Sequence, residues 1–469
     1  MHRSIVALAA LAVACRAPAP AQQREVSLIV SHGLVVTMED ARAPLADGAV
    51  AIDGADIVAV ATTESINRQY RGRETLDAAG QVVMPGLVNT HTHAPMVLYR
   101  GLADDLPLDT WLNKYIFPAE AGTVSPEFVR AGTRLAALEM IQSGTTTFAD
   151  MYYFEDDIAR EVKAAGLRGV LGQTVIRFPV PDARTPADGL ARAEAFITAY
   201  RGDPLITPAV APHAIYTLDS ASLTAARDLS RRFNVPTIIH LAETGQEGRD
   251  AQQAFKASPV AYLDRLGFLG PGVLAAHGVW VSEPDIALLK ARGVGVAHNP
   301  ESNMKLASGV APLVSYLRAG VPVGLGTDGA ASNNDLDMFE AMRMASFLQK
   351  VHTLDPKVAS AREMLEMATI GGARALGMAD RIGSLAPGKR ADLIVVRMTT
   401  ARQTPMYDPV SQLVYTTRGD DVTATVVQGR VLMRNRMVLS LDEAAVLKEA
   451  RSWADRVRAA VAGSGSETR

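Results

Sequence analysis

Eight short apolar runs, several of them separated by amphipathic stretches, constrain the fold of this 469-residue chain more than any other feature. They are residues 82–93, 145–151, 169–176, 206–213, 237–243, 273–279, 293–299 and 321–328. The stretches at 128–142, 218–233 and 283–291 between them carry the apolar spacing of helices. Eight β-then-α units over roughly 250 to 300 residues predict a (β/α)8 barrel of the TIM type. An open doubly wound sheet fits less well, because no Gly-x-Gly-x-x-Gly turn follows the first run.

Short strand-like segments flank this region. Leu28-Ile-Val, Leu34-Val-Val-Thr and Ala49-Val-Ala-Ile-Asp lie on one side, and Asp392-Leu-Ile-Val-Val and Thr423–Leu432 on the other. They predict one small β-sandwich domain built from both chain ends. The expected division is 1–22 for a leader, 26–80 and 381–440 for the two parts of the β-domain, 81–380 for the barrel, and 441–469 for a terminal helix and tail. A further helix is expected over 334–350.

The ends of the runs carry the chemistry. His91-Thr-His93 closes the first run, and residues at i and i+2 of a strand point the same way. His213, His240, His277 and Asp328 end later runs. In a barrel, the C-terminal ends of the strands form the active-site rim. Imidazoles and a carboxylate there suit Zn²⁺, and would also take Fe²⁺ or Mn²⁺. We assign His91, His93, His240 and Asp328 as the expected ligands of one divalent metal. Bound zinc lowers the pKa of water to roughly 7 and so supplies hydroxide for hydrolysis. Glu243, in His240-Leu-Ala-Glu243, can shuttle a proton, and His277 can hold the water or polarise the substrate. Asp328 can instead be read as a turn residue and Glu243 as an N-cap or a surface acid in the loop. His298 is read as a loop brace, and His32 and His352 as surface or packing residues.

The single cysteine, Cys15, excludes both a disulfide and a Cys-x-x-Cys zinc site. A formal net charge of -3 gives no reason to expect nucleic acid. Arg3, the apolar stretch 5–14 and Ala19-Pro-Ala21 predict a secretory signal, hence export to the periplasm. Alternatively, Ala12-Val-Ala-Cys15 reads as a lipoprotein site with Cys15 carrying the anchor. A cytoplasmic enzyme with an apolar leader is the remaining alternative.

Together these residues resemble the amidohydrolase superfamily. Pro85-Gly-Leu-Val-Asn-Thr-His91-Thr-His93-Ala-Pro-Met, Leu98-Tyr-Arg-Gly-Leu, Leu106-Pro-Leu-Asp-Thr-Trp111, His298-Asn-Pro-Glu-Ser-Asn-Met-Lys-Leu and Gly326-Thr-Asp328-Gly-Ala-Ala-Ser-Asn-Asn are similar to the branch of 5'-methylthioadenosine/S-adenosylhomocysteine deaminases and triazine chlorohydrolases. The resemblance implies one metal on His91, His93, His240 and Asp328, with Glu243, His277 and Asp328 handling protons. No lysine ends the fourth run, which agrees with one metal. The resemblance also implies Glu120 for the ribose hydroxyls and His213 for the nucleoside. A helix-start acid and a strand-end brace are their plainer readings. It further implies arginines after the third run for a homocysteine carboxylate, but Gln173 stands where the first is expected, and Arg177 and Arg184 align poorly. The implied reaction is release of ammonia from an adenosine derivative: adenosine, 5'-methylthioadenosine or S-adenosylhomocysteine. Alternatives are hydrolysis of guanine, a pterin or a triazine, and a non-catalytic metal-binding or scaffold barrel. Relatives are often dimers or tetramers, which implies a homo-oligomer, although no interface is legible.

Overall fold

The computed structural model describes residues 23–39 and 43–464. The expected signal, the alternative anchor at Cys15, and His2 lie outside the described residues. Among the described residues, no helix is long and apolar enough to cross a membrane.

Two sheets organise the chain. The first is one mixed sheet of nine strands drawn from both chain ends. Its strands are β1 (Arg24–Val35), β2 (Leu45–Asp53), β3 (Asp56–Thr62), β4 (Tyr70–Asp77), β5 (Gln81–Pro85), and then β14 (Leu393–Arg397), β15 (Val422–Val427), β16 (Arg430–Arg434) and β17 (Met437–Val438). β1 is long enough to serve two neighbours: its first half pairs with β4 and its last residues with β5. Leu28 and Leu34, expected on separate strands, share β1. Between them His32-Gly33 is a bulge, with His32 at φ 60° and a register shift on either side of Gly33. The face between the two halves is apolar and includes Leu28, Val50, Ile52, Val83, Leu393 and Val426.

The second sheet holds the eight barrel strands in chain order, each parallel to its neighbours: β6 (Leu87–Thr92), β7 (Thr145–Tyr152), β8 (Arg168–Val175), β9 (Ile206–Pro212), β10 (Thr237–Leu241), β11 (Val273–His277), β12 (Gly295–His298) and β13 (Val323–Leu325). The first and last approach through Thr90 Oγ1 donating to the Leu325 carbonyl at 2.8 Å and Asp328 N donating to the His91 carbonyl at 2.9 Å. Strands covered on both faces read as continuous apolar runs. β7 and β8 accordingly have no exposed residue.

The run at 82–93 is two strands rather than one. β5 belongs to the end-built sheet and β6 to the barrel. Pro85 has no N–H to continue a ladder, and at Gly86 a Cβ would lie 2.1 Å from Thr146. A side chain at this crossing between the sheets would collide with Thr146. The two sheets are joined by a buried ion pair. Arg168 Nε and Nη2 donate to Asp392 at 2.9 and 3.2 Å, and Gln428 N donates to the same carboxylate. Helices stand at Pro126–Ser143, Ser220–Phe233 and Glu283–Arg292, close to expectation. The helix expected at 334 starts at Met338, after a short Ala330–Asn333 turn of helix, and the terminal helix spans Glu443–Ser464.

Candidate active site

The rim at the C-terminal ends of the barrel strands gathers His91, His93, His213, His240, Glu243, His277 and Asp328. His91, His93 and His240 converge, and so do His91, His277 and Asp328, with donor atoms in each set within 4.8 Å of one another. His93 Nδ1 donates to the Met151 carbonyl at 2.6 Å, and His240 Nδ1 to the His213 carbonyl at 3.0 Å. Those two bonds fix the tautomers, so each Nε2 is a bare lone pair. The two lone pairs face each other at 3.3 Å. His91 is fully buried, and neither of its ring nitrogens has a hydrogen-bond partner. Asp328 Oδ1 lies 3.5 Å from His91 Nε2 and 3.3 Å from His93 Nε2. Facing lone pairs, an orphaned imidazole and a carboxylate form a donor set that fits a divalent cation. The electrostatics agree. Burial drives His91 down to about 4 and His240 well below the usual imidazole range, which keeps both as neutral donors. Burial works against ionised Asp328, but His91 and its neighbours outweigh it and hold the carboxyl well below the usual range.

Asp328 is more than a turn residue. Its Oδ2 accepts Ser302 Oγ at 2.7 Å and Ser332 Oγ at 3.1 Å, and its Oδ1 accepts Gly329 N at 2.8 Å. These bonds hold a residue whose φ of 64° lies in the left-handed region. His277, also left-handed at φ 74°, donates Nδ1–H to Asn303 Oδ1 at 2.9 Å. Its Nε2 therefore faces Glu243 Oε2 at 3.8 Å and Asp328 Oδ2 at 4.0 Å. Burial lowers the His277 pKa, but the two carboxylates raise it further, and the net shift is upward. Burial raises the Glu243 carboxyl, so it can carry a proton.

Glu243 is not an N-cap, since Thr244 caps the helix that follows it. Sequence reasoning missed what places Glu243. The buried Glu247 carboxylate accepts Ala242 N at 3.0 Å and Glu243 N at 2.9 Å. Thr244-Gly-Gln-Glu247 reads as an ordinary capping box, which hides this reach beyond the cap. Asp150, also unforeseen, accepts Ala94 N at 2.6 Å beside His93.

A cavity opens at the cluster, and its lining includes His93, His213, His240, Glu243, His277, Asp328 and Glu120. Glu120 accepts Tyr152 Oη–H at 2.7 Å, and burial pushes its carboxyl up to about 7. His213 supports His240 through its carbonyl while its ring lines the cavity. The expected partners of a substrate carboxylate are elsewhere. Arg177 and Arg184 are exposed and line no part of the cavity, and Gln173 donates to Asp182. Their strand ends at Val175, and of the loop that follows it is Phe178, not either arginine, that lines the outer part of the cavity. His298 does not brace its loop by side-chain hydrogen bonds, since both buried ring nitrogens are unpartnered. Burial pushes it down to about 4, which keeps the ring neutral. His32 meets Asp77 at 3.1 Å on the surface, and His352 is exposed.

Known proteins are similar to this chain over most of its length. A 5-methylthioadenosine/S-adenosylhomocysteine deaminase of Syntrophobacter fumaroxidans is 47% identical over 431 residues, covering 92% of this chain and 98% of its own. A 5'-deoxyadenosine deaminase of Methanosarcina acetivorans is 45% identical over 432 residues, covering 92% and 98%. The crystal structure of an adenosine deaminase from Xanthomonas campestris with bound zinc superposes with a TM-score of 0.92 at 41% identity, covering 93% of this chain and all of that one. Residues 82–432, from the end of the first sheet through the barrel and back, match the model of the Amidohydrolase family. With the barrel, the rim cluster and these relatives in agreement, the chain belongs to the amidohydrolase family.

Proposed function

We propose that the protein is a metal-dependent hydrolytic deaminase of an adenosine derivative. The observation that carries this reading is one cavity lined by His93, His240 and Asp328 of the donor cluster, with His91 buried beside them, and by the protonatable Glu243 and Glu120. The names of the relatives support the same chemistry. A divalent cation on those four ligands, with zinc the first choice, would acidify water to a pKa of roughly 7.

The chain's own groups do the rest. His277 and Asp328 orient the attacking water, and Asp328 takes its proton. Glu243 delivers a proton to the ring nitrogen beside the amino-bearing carbon as the C–O bond forms there. The C–N bond then breaks, and the amino group leaves as ammonia with the proton returned to it. Glu120 accepts hydrogen bonds from the two ribose hydroxyls, as a carboxylate can. The His213 ring contacts the base or sugar from the cavity wall. Glu120 favours a nucleoside over guanine, a pterin or a triazine, none of which has a ribose to offer it. The N-terminal signal, with Cys15 as an alternative lipid site, extends the proposal to an exported enzyme. Fractionation of cells expressing the full chain would test that part.

The test is ammonia release by the purified, zinc-loaded protein from adenosine, 5'-deoxyadenosine, 5'-methylthioadenosine and guanine. The expected result is release from adenosine compounds that is lost in Glu243→Gln. Release from guanine alone, or none at all with zinc bound, would overturn the reading.

A further inference from the structure

The cavity continues outward past Leu112, Phe117, Tyr216 and Leu306, which line both the inner chamber and a second, outer one. The outer chamber is the larger, about 580 Å³ open to water against about 70 Å³ inside. On the proposed function, the purine must reach the donor cluster and the ribose hydroxyls must reach Glu120, both inside. The 5' branch of the sugar is what remains, and the outer chamber is the space left for it.

The outer walls have a definite chemistry. Phe178 and Trp280 offer aromatic surface, and Trp280 is held by its Nε1–H donating to the Ser308 carbonyl at 2.6 Å. Arg249 is the one lysine or arginine in the lining of either chamber among the described residues. Its Nε and Nη2 both point at Gln246 Oε1, at 3.3 and 2.8 Å. That is the edge a guanidinium uses to grip a carboxylate in two-pronged fashion. Gln246 in turn donates to Asp250 at 2.7 Å, and Asp109 stands in the same lining. A ligand carboxylate would therefore meet Asp109 and Asp250 and one preoccupied cation, in a lining that also carries Glu243 and Glu247 and includes neither Arg177 nor Arg184. Selectivity built this way acts by repulsion as much as by attraction.

We propose that the outer chamber is a specificity filter that admits uncharged thioether or alkyl 5' substituents and disfavours those ending in a carboxylate. Asp109 and Asp250 are the discriminating residues, and Phe178 and Trp280 supply the contact surface. The inference rests on the adenosine-deaminase reading. It makes 5'-methylthioadenosine and 5'-deoxyadenosine better substrates than S-adenosylhomocysteine.

The experiment compares kcat/KM of the zinc-loaded full chain for 5'-methylthioadenosine, S-adenosylhomocysteine and the carboxamide of S-adenosylhomocysteine. The amide keeps the size and removes the negative charge. The expected result is at least about a tenfold preference for 5'-methylthioadenosine over S-adenosylhomocysteine, most of it regained by the amide and narrowed in the Asp109→Asn, Asp250→Asn double variant. A smaller preference overturns the proposal. So does a preference that the amide does not relieve, which would mean exclusion by size. Loss of S-adenosylhomocysteine turnover alone in Arg249→Ala would show Arg249 capturing the carboxylate, also against it. Calorimetric binding of the three compounds to Glu243→Gln gives the same ranking without turnover. A protein that binds none of them fails the adenosine reading, whereas one that binds all three equally fails only the filter.

Discussion

Replacing Glu247 by Gln tests whether the placement of Glu243 is set from behind the site. The substitution keeps the size of the side chain and the helix that carries it. It converts one of two acceptor oxygens into an NH2 group. The carboxylate now accepts from two consecutive backbone N–H groups, Ala242 at 3.0 Å and Glu243 at 2.9 Å. Whichever way the amide turns, one of those donors faces another donor. A hydrogen bond to a charged acceptor contributes about 1.5–3 kcal/mol, and an orphaned buried N–H costs about 1–3 kcal/mol. The turn also holds Ala242 at φ 53°, a left-handed conformation that an alanine leaves when released. A displacement of about 1 Å at a reacting group costs on the order of 100-fold in rate. Glu247→Gln should therefore lower kcat by about 10- to 100-fold while KM stays within about threefold, the pattern of a lost transition-state contact. Metal content should not change, because His240 sits on β10 and is held by the His213 carbonyl. Steady-state ammonia release together with metal analysis reads all three quantities. A kcat within about twofold of the parent would refute the reasoning, as would loss of metal in step with loss of rate.

Two further substitutions probe other parts of the account. Burial raises Glu120 to about 7, so in the substrate-free site it keeps its proton up to about neutral pH and is a carboxylate above it. The stability this gives is present below the unfolded carboxyl value and is lost as pH rises through about 7. Glu120→Gln should then gain stability relative to the parent between pH 5 and pH 8, by on the order of 3 kcal/mol, in urea unfolding at the two pH values. No change in the difference between parent and variant would argue against a buried, protonated Glu120. Asp392→Ala leaves the Arg168 guanidinium, 1% exposed, without its carboxylate and orphans Gln428 N. The expected cost is about 3–5 kcal/mol in the same assay, and a loss below about 1 kcal/mol would mean that the joint between the sheets does not rest on this pair.

The barrel was legible because its strands are buried on both faces and so stand out as apolar runs that end in chemistry-bearing residues. The histidines proposed as ligands were legible for the same reason. The break at Gly86 was not, because a steric approach to Thr146 leaves no mark on hydrophobic periodicity. The single path of β1 through His32-Gly33 was missed because a bulge and a turn use the same residue types. Glu247 and Asp150 escaped notice for a related reason. A buried acid that accepts backbone N–H groups looks, in sequence, like any helix-start or loop acid. His298 ended a run as the ligands do, yet its ring meets no polar partner. Position at a strand end is thus informative about the rim and only partly informative about role.

The central claim, one metal serving one deamination site, is tested most directly by titrating the chelator-stripped protein with zinc while following ammonia release from 5'-deoxyadenosine. The account predicts no activity without metal, a rise in proportion to added zinc, and a plateau at one equivalent per chain, with no rise in His91→Ala. Activity in the stripped protein, or a plateau only at two equivalents, would contradict it.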